Sequence, residues 1–228
     1  MRHSFFYEIK YIFIISTMKK KFIIFDFDGT VADTNKLIID AWQHIFLHYR
    51  GVKEQEAKLY HTFGETLEYS ISNMLPEADT AEAIAMYRGF QRENNDEKGL
   101  FPGMKELLKE LKMKGCVQAI VTSRTANTTK DYMKDLGITD YFDVVITCDD
   151  VKAHKPDPLP LLTALNNLGA TKEESIMVGD TRFDIGCANN AGVDSALAGW
   201  SKAFSDEDLK VCTPTYRLSQ PKMLLGIV

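Results

Sequence analysis

Cysteine is scarce and unpatterned: Cys116, Cys148, Cys187 and Cys212 lie far apart, with no CxxC pair and no Cys/His cluster. That argues against a zinc site and a disulfide framework, and it suits a reducing, cytoplasmic setting. Positive charge is also in short supply, since 27 Lys and Arg against 32 Asp and Glu leave a net charge of −5. Nucleic acid is therefore not expected as the main partner, and an anionic ligand must be attracted locally. Long hydrophobic runs are lacking too. The most apolar stretch, residues 1–17, is interrupted by Glu8 and Lys10 and has no small-residue cleavage site, so it is too short and too broken to span a bilayer. Met18, followed by Lys19-Lys20-Lys21, reads as the natural start, with residues 1–17 an upstream extension; a membrane anchor is the alternative. No internal repeat or low-complexity segment is present.

What is there is ordinary for a soluble globular enzyme: 228 residues, 45% hydrophobic and 26% charged. That length corresponds to about 1.5 domains. The stretch around which the rest is organised is Phe22-Ile23-Ile24-Phe25-Asp26-Phe27-Asp28-Gly29-Thr30. An apolar, β-rich run ends in two carboxylates spaced i, i+2, then a glycine and a hydroxyl, so a strand gives way to a tight loop. Extended backbone aims Asp26 and Asp28 to one side and turns Phe27 towards a core. Like charges so close need a cation or a shared proton. A hard cation such as Mg²⁺, which takes oxygen ligands, would neutralise the pair and recruit a phosphate. One carboxylate could then attack while the other moves protons. The plainer reading is a polar loop after a core strand.

Further along, Leu37, Ile38, Ala41, Ile45 and Phe46 repeat with helical period, with Thr34 as the expected N-cap and an end near Tyr49. Residues 53–94 stay helix-forming, with breaks at Gly51, Gly64 and Pro76, and read as a small helical bundle. The polar run 92–99 is the return linker, and a new helix opens at Met104. The pattern then alternates: strand Val117–Val121, helix Ala126–Leu136, strand Val144–Ile146, helix Pro158–Leu168, strand Ser175–Val178, helix Phe183–Ala191, strand Asp194–Ala198. Strands separated by such helices predict right-handed βαβ units and a parallel sheet. The expected organisation is α/β, with residues 18–33 and 98–228 forming a core and residues 34–97 a helical insertion.

Three more strand ends carry polar groups. Thr122-Ser123-Arg124 offers hydroxyls and backbone N–H groups suited to phosphate oxygens, or simply a helix-capping loop. Lys155 precedes Pro156-Asp157-Pro158, which fixes its backbone direction so that its ammonium can be aimed at an anion, or else merely starts the next helix. Gly179-Asp180-Thr181-Arg182-Phe183-Asp184 supplies a second acidic pair, able to complete a cation's oxygen shell, or to cap a helix through Asp180.

Taken in order, Asp26-Phe-Asp-Gly-Thr, Val121-Thr-Ser, Lys155-Pro-Asp-Pro and Gly179-Asp-Thr-Arg-Phe-Asp resemble the four signature motifs of the haloacid dehalogenase-like (HAD) superfamily. The likeness runs from about Lys20 onward and is greatest to the phosphoglycolate phosphatase-like branch, which has a helical C1 cap; several phrases look most like the bacterial pyrophosphatases of that branch. It implies a Rossmann-like parallel-sheet core with an inserted α-helical cap. Asp26 would be the nucleophile that forms an aspartyl-phosphate, and Asp28 the acid and then the base. Thr122 and Lys155 would hold the transferring phosphoryl group, joined in substrate binding by Gly29, Ser123 and Gly64. Mg²⁺ would sit on Asp26, the Asp28 carbonyl and Asp180, with Asp184 in support. Asp28 argues for phosphate chemistry, because a halide leaving group needs no proton.

The reading that follows is a Mg²⁺-dependent phosphatase acting on a small phosphorylated metabolite. Inorganic pyrophosphatase, a phosphomutase of the β-phosphoglucomutase type and a non-catalytic phosphate-binding module are the alternatives. Neither nucleic acid nor membrane is an expected partner, and the chain would act as a monomer or homodimer. In the cap, Thr62 and Glu65 flank Gly64 where a loop would dip over the site. His44 and His48, at i, i+4 without an accompanying acid, read as a solvated helix face.

Overall fold

The computed structural model describes residues 20–201 and 203–228, so the expectations for residues 1–17 and for Met18 lie outside the described residues. Strand β1 (Phe22–Phe25) is central to a six-stranded sheet whose neighbours are all parallel. Beside it lie β4 (Val117–Val121) and β6 (Ser175–Gly179), with β5 (Val144–Ile146) on one edge and β7 (Asp194–Ala198) then β8 (Tyr216–Leu218) on the other.

The alternation of β1 divides the core into two layers. Ile23 and Phe25 face one layer with Met104, Leu107, Leu108 and Leu111 of α5 (Met104–Met113) and Tyr132 and Met133 of α6 (Ala126–Asp135). Phe22 and Ile24 face the other, with Leu161, Ala164 and Leu165 of α7 (Leu159–Leu168) and Cys187, Ala188 and Ala191 of α8 (Arg182–Ala191). Helices on both faces explain why β1 and β6 carry consecutive apolar residues rather than alternating ones, and why Gln118 inside β4 is buried with its amide donating to the Leu108 carbonyl at 3.0 Å.

Between β2 (Ala32–Asp33) and β3 (Gly99–Leu100) the chain leaves the sheet as four helices: α1 (Asn35–Arg50), α2 (Glu56–Tyr60), α3 (Leu67–Met74) and α4 (Thr80–Glu93). They enclose their own core of Trp42, Phe46, Leu59, Ile71, Leu75 and Tyr87. The two short strands pair antiparallel, Ala32 with Leu100 and Asp33 with Gly99, and bring the entry and exit of the insertion together. Helix α1 stops at Gly51, whose φ of 69° suits the left-handed C-terminal position that glycine takes without strain.

Thr34 differs from its expected role. It precedes α1 but makes no capping bond; its hydroxyl instead donates to Asp28 Oδ1 at 2.6 Å. Asp180 is not the cap of α8 either: Thr181 caps it, its side chain accepting from the Asp184 N–H, and the Asp184 carboxylate accepts in turn from the Thr181 N–H at 3.0 Å. Among the described residues no helix is long and apolar enough to cross a membrane.

Candidate active site

The carboxyl ends of β1, β4 and β6 form the crevice where an open parallel sheet reverses its winding, the place where such sheets bind ligands. Asp26 continues β1, its N–H donating to the Val178 carbonyl at 2.8 Å, which fixes the carboxylate between the neighbouring strands. Lys155 reaches in from the loop before α7. Its ammonium donates to Asp26 Oδ1 and Asp184 Oδ1, both at 2.6 Å, and to the Val121 carbonyl at 3.3 Å. Carboxylate oxygens of Asp26, Asp180 and Asp184 lie within 4.8 Å of one another.

Each acid is held from behind. Asp180 accepts from Thr30 Oγ1 at 3.1 Å and from Ser201 Oγ at 2.6 Å, and Ser201 in turn accepts from Asn35 at the start of the insertion. Asp184 accepts from the Thr181 hydroxyl at 2.7 Å as well as from its N–H. The φ of Gly29 is +76°, and a Cβ there would lie 2.1 Å from Asp180 Oδ2. Glycine is therefore needed to admit Asp180.

Electrostatics at this cluster are lopsided. Burial, then the Asp184 charge, raises the Asp26 carboxyl well above its ordinary value despite the nearby ammonium. Burial and Asp184 likewise push Asp180 up to about 7, against the hydrogen bonds of Ser201 and Thr30. Burial opposes the charge on Lys155, but Asp184 and Asp26 outweigh it and the ammonium is held more firmly than usual. Three buried carboxylates with one ammonium lack positive charge, and an all-oxygen donor set of this kind fits a hard divalent cation. No other such cluster occurs among the described residues.

Asp28 turns elsewhere. Its carboxylate accepts from Arg124 Nη1 at 2.7 Å and 3.1 Å and from Thr34, so its side chain is outside the three-acid cluster. Arg124, buried and stacked 3.9 Å over the Tyr132 ring, was not foreseen as a site residue. Its partner lies 96 residues away in sequence, and nothing local marks the pair.

Asp26, Asp28, Thr122, Ser123, Arg124 and Gly64 all border one cleft, open to solvent on one side and roofed by Trp42, Tyr87 and Arg88 of the insertion. Thr122 accepts from the Arg124 N–H at 3.2 Å. The Ser123 hydroxyl donates to the Gly64 carbonyl and so ties the insertion to the core. A Cβ on Gly64, whose φ is +93°, would lie 2.7 Å from Thr181 Oγ1, so its loop docks directly on the start of α8. Arg182 reinforces the contact through the His61 carbonyl at 3.2 Å. Thr62 donates within its own turn to Leu59, Glu65 accepts from Ser70, and the His44 ring packs 5.0 Å from Phe90.

Comparison with known proteins agrees with this geometry. The family described as haloacid dehalogenase-like hydrolase matches residues 23–198. The chain is 38% identical over 208 residues to Pyrophosphatase PpaX of Halalkalibacterium halodurans, covering 90% of this chain and 95% of that protein. To Pyrophosphatase PpaX of Bacillus velezensis it is 37% identical over 206 residues, covering 90% and 94%. Among crystal structures, a protein of Lactobacillus plantarum provisionally named phosphoglycolate phosphatase superposes with a TM-score of 0.81 at 26% identity, covering 92% of this chain and all of that one.

Proposed function

The chain belongs to the haloacid dehalogenase-like hydrolase family, and from that we propose that it is a Mg²⁺-dependent phosphatase that hydrolyses a small phosphorylated metabolite through an aspartyl-phosphate. One observation carries the reading: Lys155 bridges Asp26 and Asp184 while Asp180 completes a cluster of buried oxygens. An attacking carboxylate, fixed positive charge and a cation site are what phosphoryl transfer asks of a protein.

Asp26 attacks phosphorus in line, and the bond to the leaving oxygen breaks as that oxygen takes a proton from Asp28. Asp28, as carboxylate, then accepts a proton from water, which displaces Asp26 and releases phosphate. Lys155 steadies both the Asp26 carboxylate and the transferring group, and Thr122 offers its hydroxyl at the same end of the cleft. Asp26, Asp180 and Asp184 would hold the Mg²⁺, which supplies charge neutralisation at the phosphoryl oxygens. Arg124 and Thr34 hold the Asp28 carboxylate beside the cleft, close to where a leaving group must depart. The insertion acts as a cap over this chemistry, with Gly64 and Ser123 at the seam.

A second reading is supported by the curated relatives, which are named pyrophosphatases and match at nearly full length. In that reading the same in-line displacement cleaves a phosphoanhydride. Phosphate release measured with Mg²⁺ over pyrophosphate, 2-phosphoglycolate, sugar phosphates and nucleotides, with Asp26→Asn as the blank, tests both. Turnover above the blank supports the phosphatase reading, and the preferred compound decides between the two. Activity that survives in Asp26→Asn would refute the mechanism.

A further inference from the structure

Arg50, Arg124 and Arg182 each pair with a carboxylate, of Glu77, Asp28 and Asp208 respectively. Arg88 pairs with none among the described residues. It is half-buried on α4, its Nη1 donating to Gln91 Oε1 at 3.1 Å, and Gln91, one turn on, is itself buried. Both line the cleft that Asp26, Asp28 and Thr122 line from the core side. This unpaired guanidinium lies 5.9 Å from the Tyr87 ring on a wall that Trp42 and Ile38 also line, and its planar fork matches a carboxylate or phosphate edge. A second guanidinium, Arg124, borders the same space but is committed to Asp28. Burial and then the Arg124 charge lower the Arg88 pKa, and the Asp28 charge, itself bound by Arg124, only partly opposes them. Glu65, the one acid that the insertion itself adds to the lining of this cleft, accepts from the Ser70 hydroxyl at 2.6 Å rather than from Arg88.

We propose that Arg88, oriented by Gln91, is the residue that selects the substrate, by binding a second anionic group on the leaving side of the scissile P–O bond. The substrate class is then a phosphorylated compound with a second phosphoryl or carboxylate group a few bonds from the first, rather than a neutral sugar phosphate. This inference rests on the phosphatase reading above.

The test compares the full chain with Arg88→Gln and Arg88→Lys, in Mg²⁺, on pyrophosphate, 2-phosphoglycolate and p-nitrophenyl phosphate, the last having no second anionic group. Arg88→Gln is expected to lose roughly 10- to 100-fold more kcat/KM on the doubly anionic compounds than on p-nitrophenyl phosphate, as befits a lost charged hydrogen bond. The loss should fall mainly on KM, and Arg88→Lys should recover part of it. Which of the two anionic compounds loses more identifies the second group. Equal losses on all three, or none, overturn the proposal. Hydrolysis of p-nitrophenyl phosphate by the wild type and not by Asp26→Asn tests the phosphatase reading separately. Should the wild type turn over none of the three, calorimetric titration of methylenediphosphonate into Asp26→Asn, with and without Arg88→Gln, decides the subsite alone. A tenfold or greater drop in affinity supports it, and unchanged affinity overturns it.

Discussion

Asp26 is placed by backbone bonds of the sheet and held by the Lys155 ammonium, while burial and the Asp184 charge raise its carboxyl, so a nearly isosteric change should leave the fold and remove the proposed attack. Asp26→Asn is expected to lower kcat by on the order of 10³-fold or more, with an unchanged far-ultraviolet circular dichroism spectrum. Gly29 is a sharper probe of the proposed cation site, because a Cβ would meet Asp180 Oδ2 at 2.1 Å on a backbone with φ of +76°. Gly29→Ala should weaken Mg²⁺ binding in calorimetry as well as stability, since the carboxylate must move. Asp180 also gives a pH dependence with a definite sign. Its folded value of about 7 lies above its ordinary 3.8, so the folded state holds a proton that the unfolded chain has released. That contribution to stability is full below 3.8 and is lost as pH rises through about 7. Without metal, Tm of the wild type relative to Asp180→Asn should fall over that interval, and saturating Mg²⁺ should flatten the difference.

At the scale of the element, the insertion has a core of its own and should report its own damage. Ile71 is fully buried there, and Ile71→Ala is expected to cost about 2–5 kcal/mol in urea unfolding. The same change should raise KM, because the α4 face that carries Arg88 packs through that core. The strands Val117–Val121, Val144–Ile146 and Asp194–Ala198 could be read from the sequence to the residue, the first two as β-branched apolar segments and the third from its place after a helix in the strand–helix alternation. Strands β2, β3 and β8 could not. β2 and β3 are two residues each, and β8, Tyr216-Arg217-Leu218, lacks the β-branched apolar run that marks Val144–Ile146 at the same length. Thr34 shows the same limit in a single residue, for its local context promises a cap and its hydroxyl goes to Asp28.

For the whole molecule, metal binding should couple to stability. Mg²⁺ at about 100 times its Kd should stabilise the protein by roughly 2.7 kcal/mol, and a chelator should reverse the gain in a thermal melt. Asp180→Asn should abolish the effect, because the cluster then loses a buried carboxylate. The alternation of strand and helix by itself determined a parallel α/β sheet with a helical insertion, and the four polar strand ends marked residues that the structure brings to one sheet edge. Both are properties of short windows, fixed by side-chain period and by the loops that end each strand. Only the tertiary structure decided which charges meet: Lys155 with Asp184 across 29 positions, Arg124 with Asp28 across 96, and Arg88 with Gln91 and, among the described residues, no carboxylate. Those pairings follow from strand order and from how the insertion docks on the core, and a sequence window shorter than the distance between partners carries no trace of them.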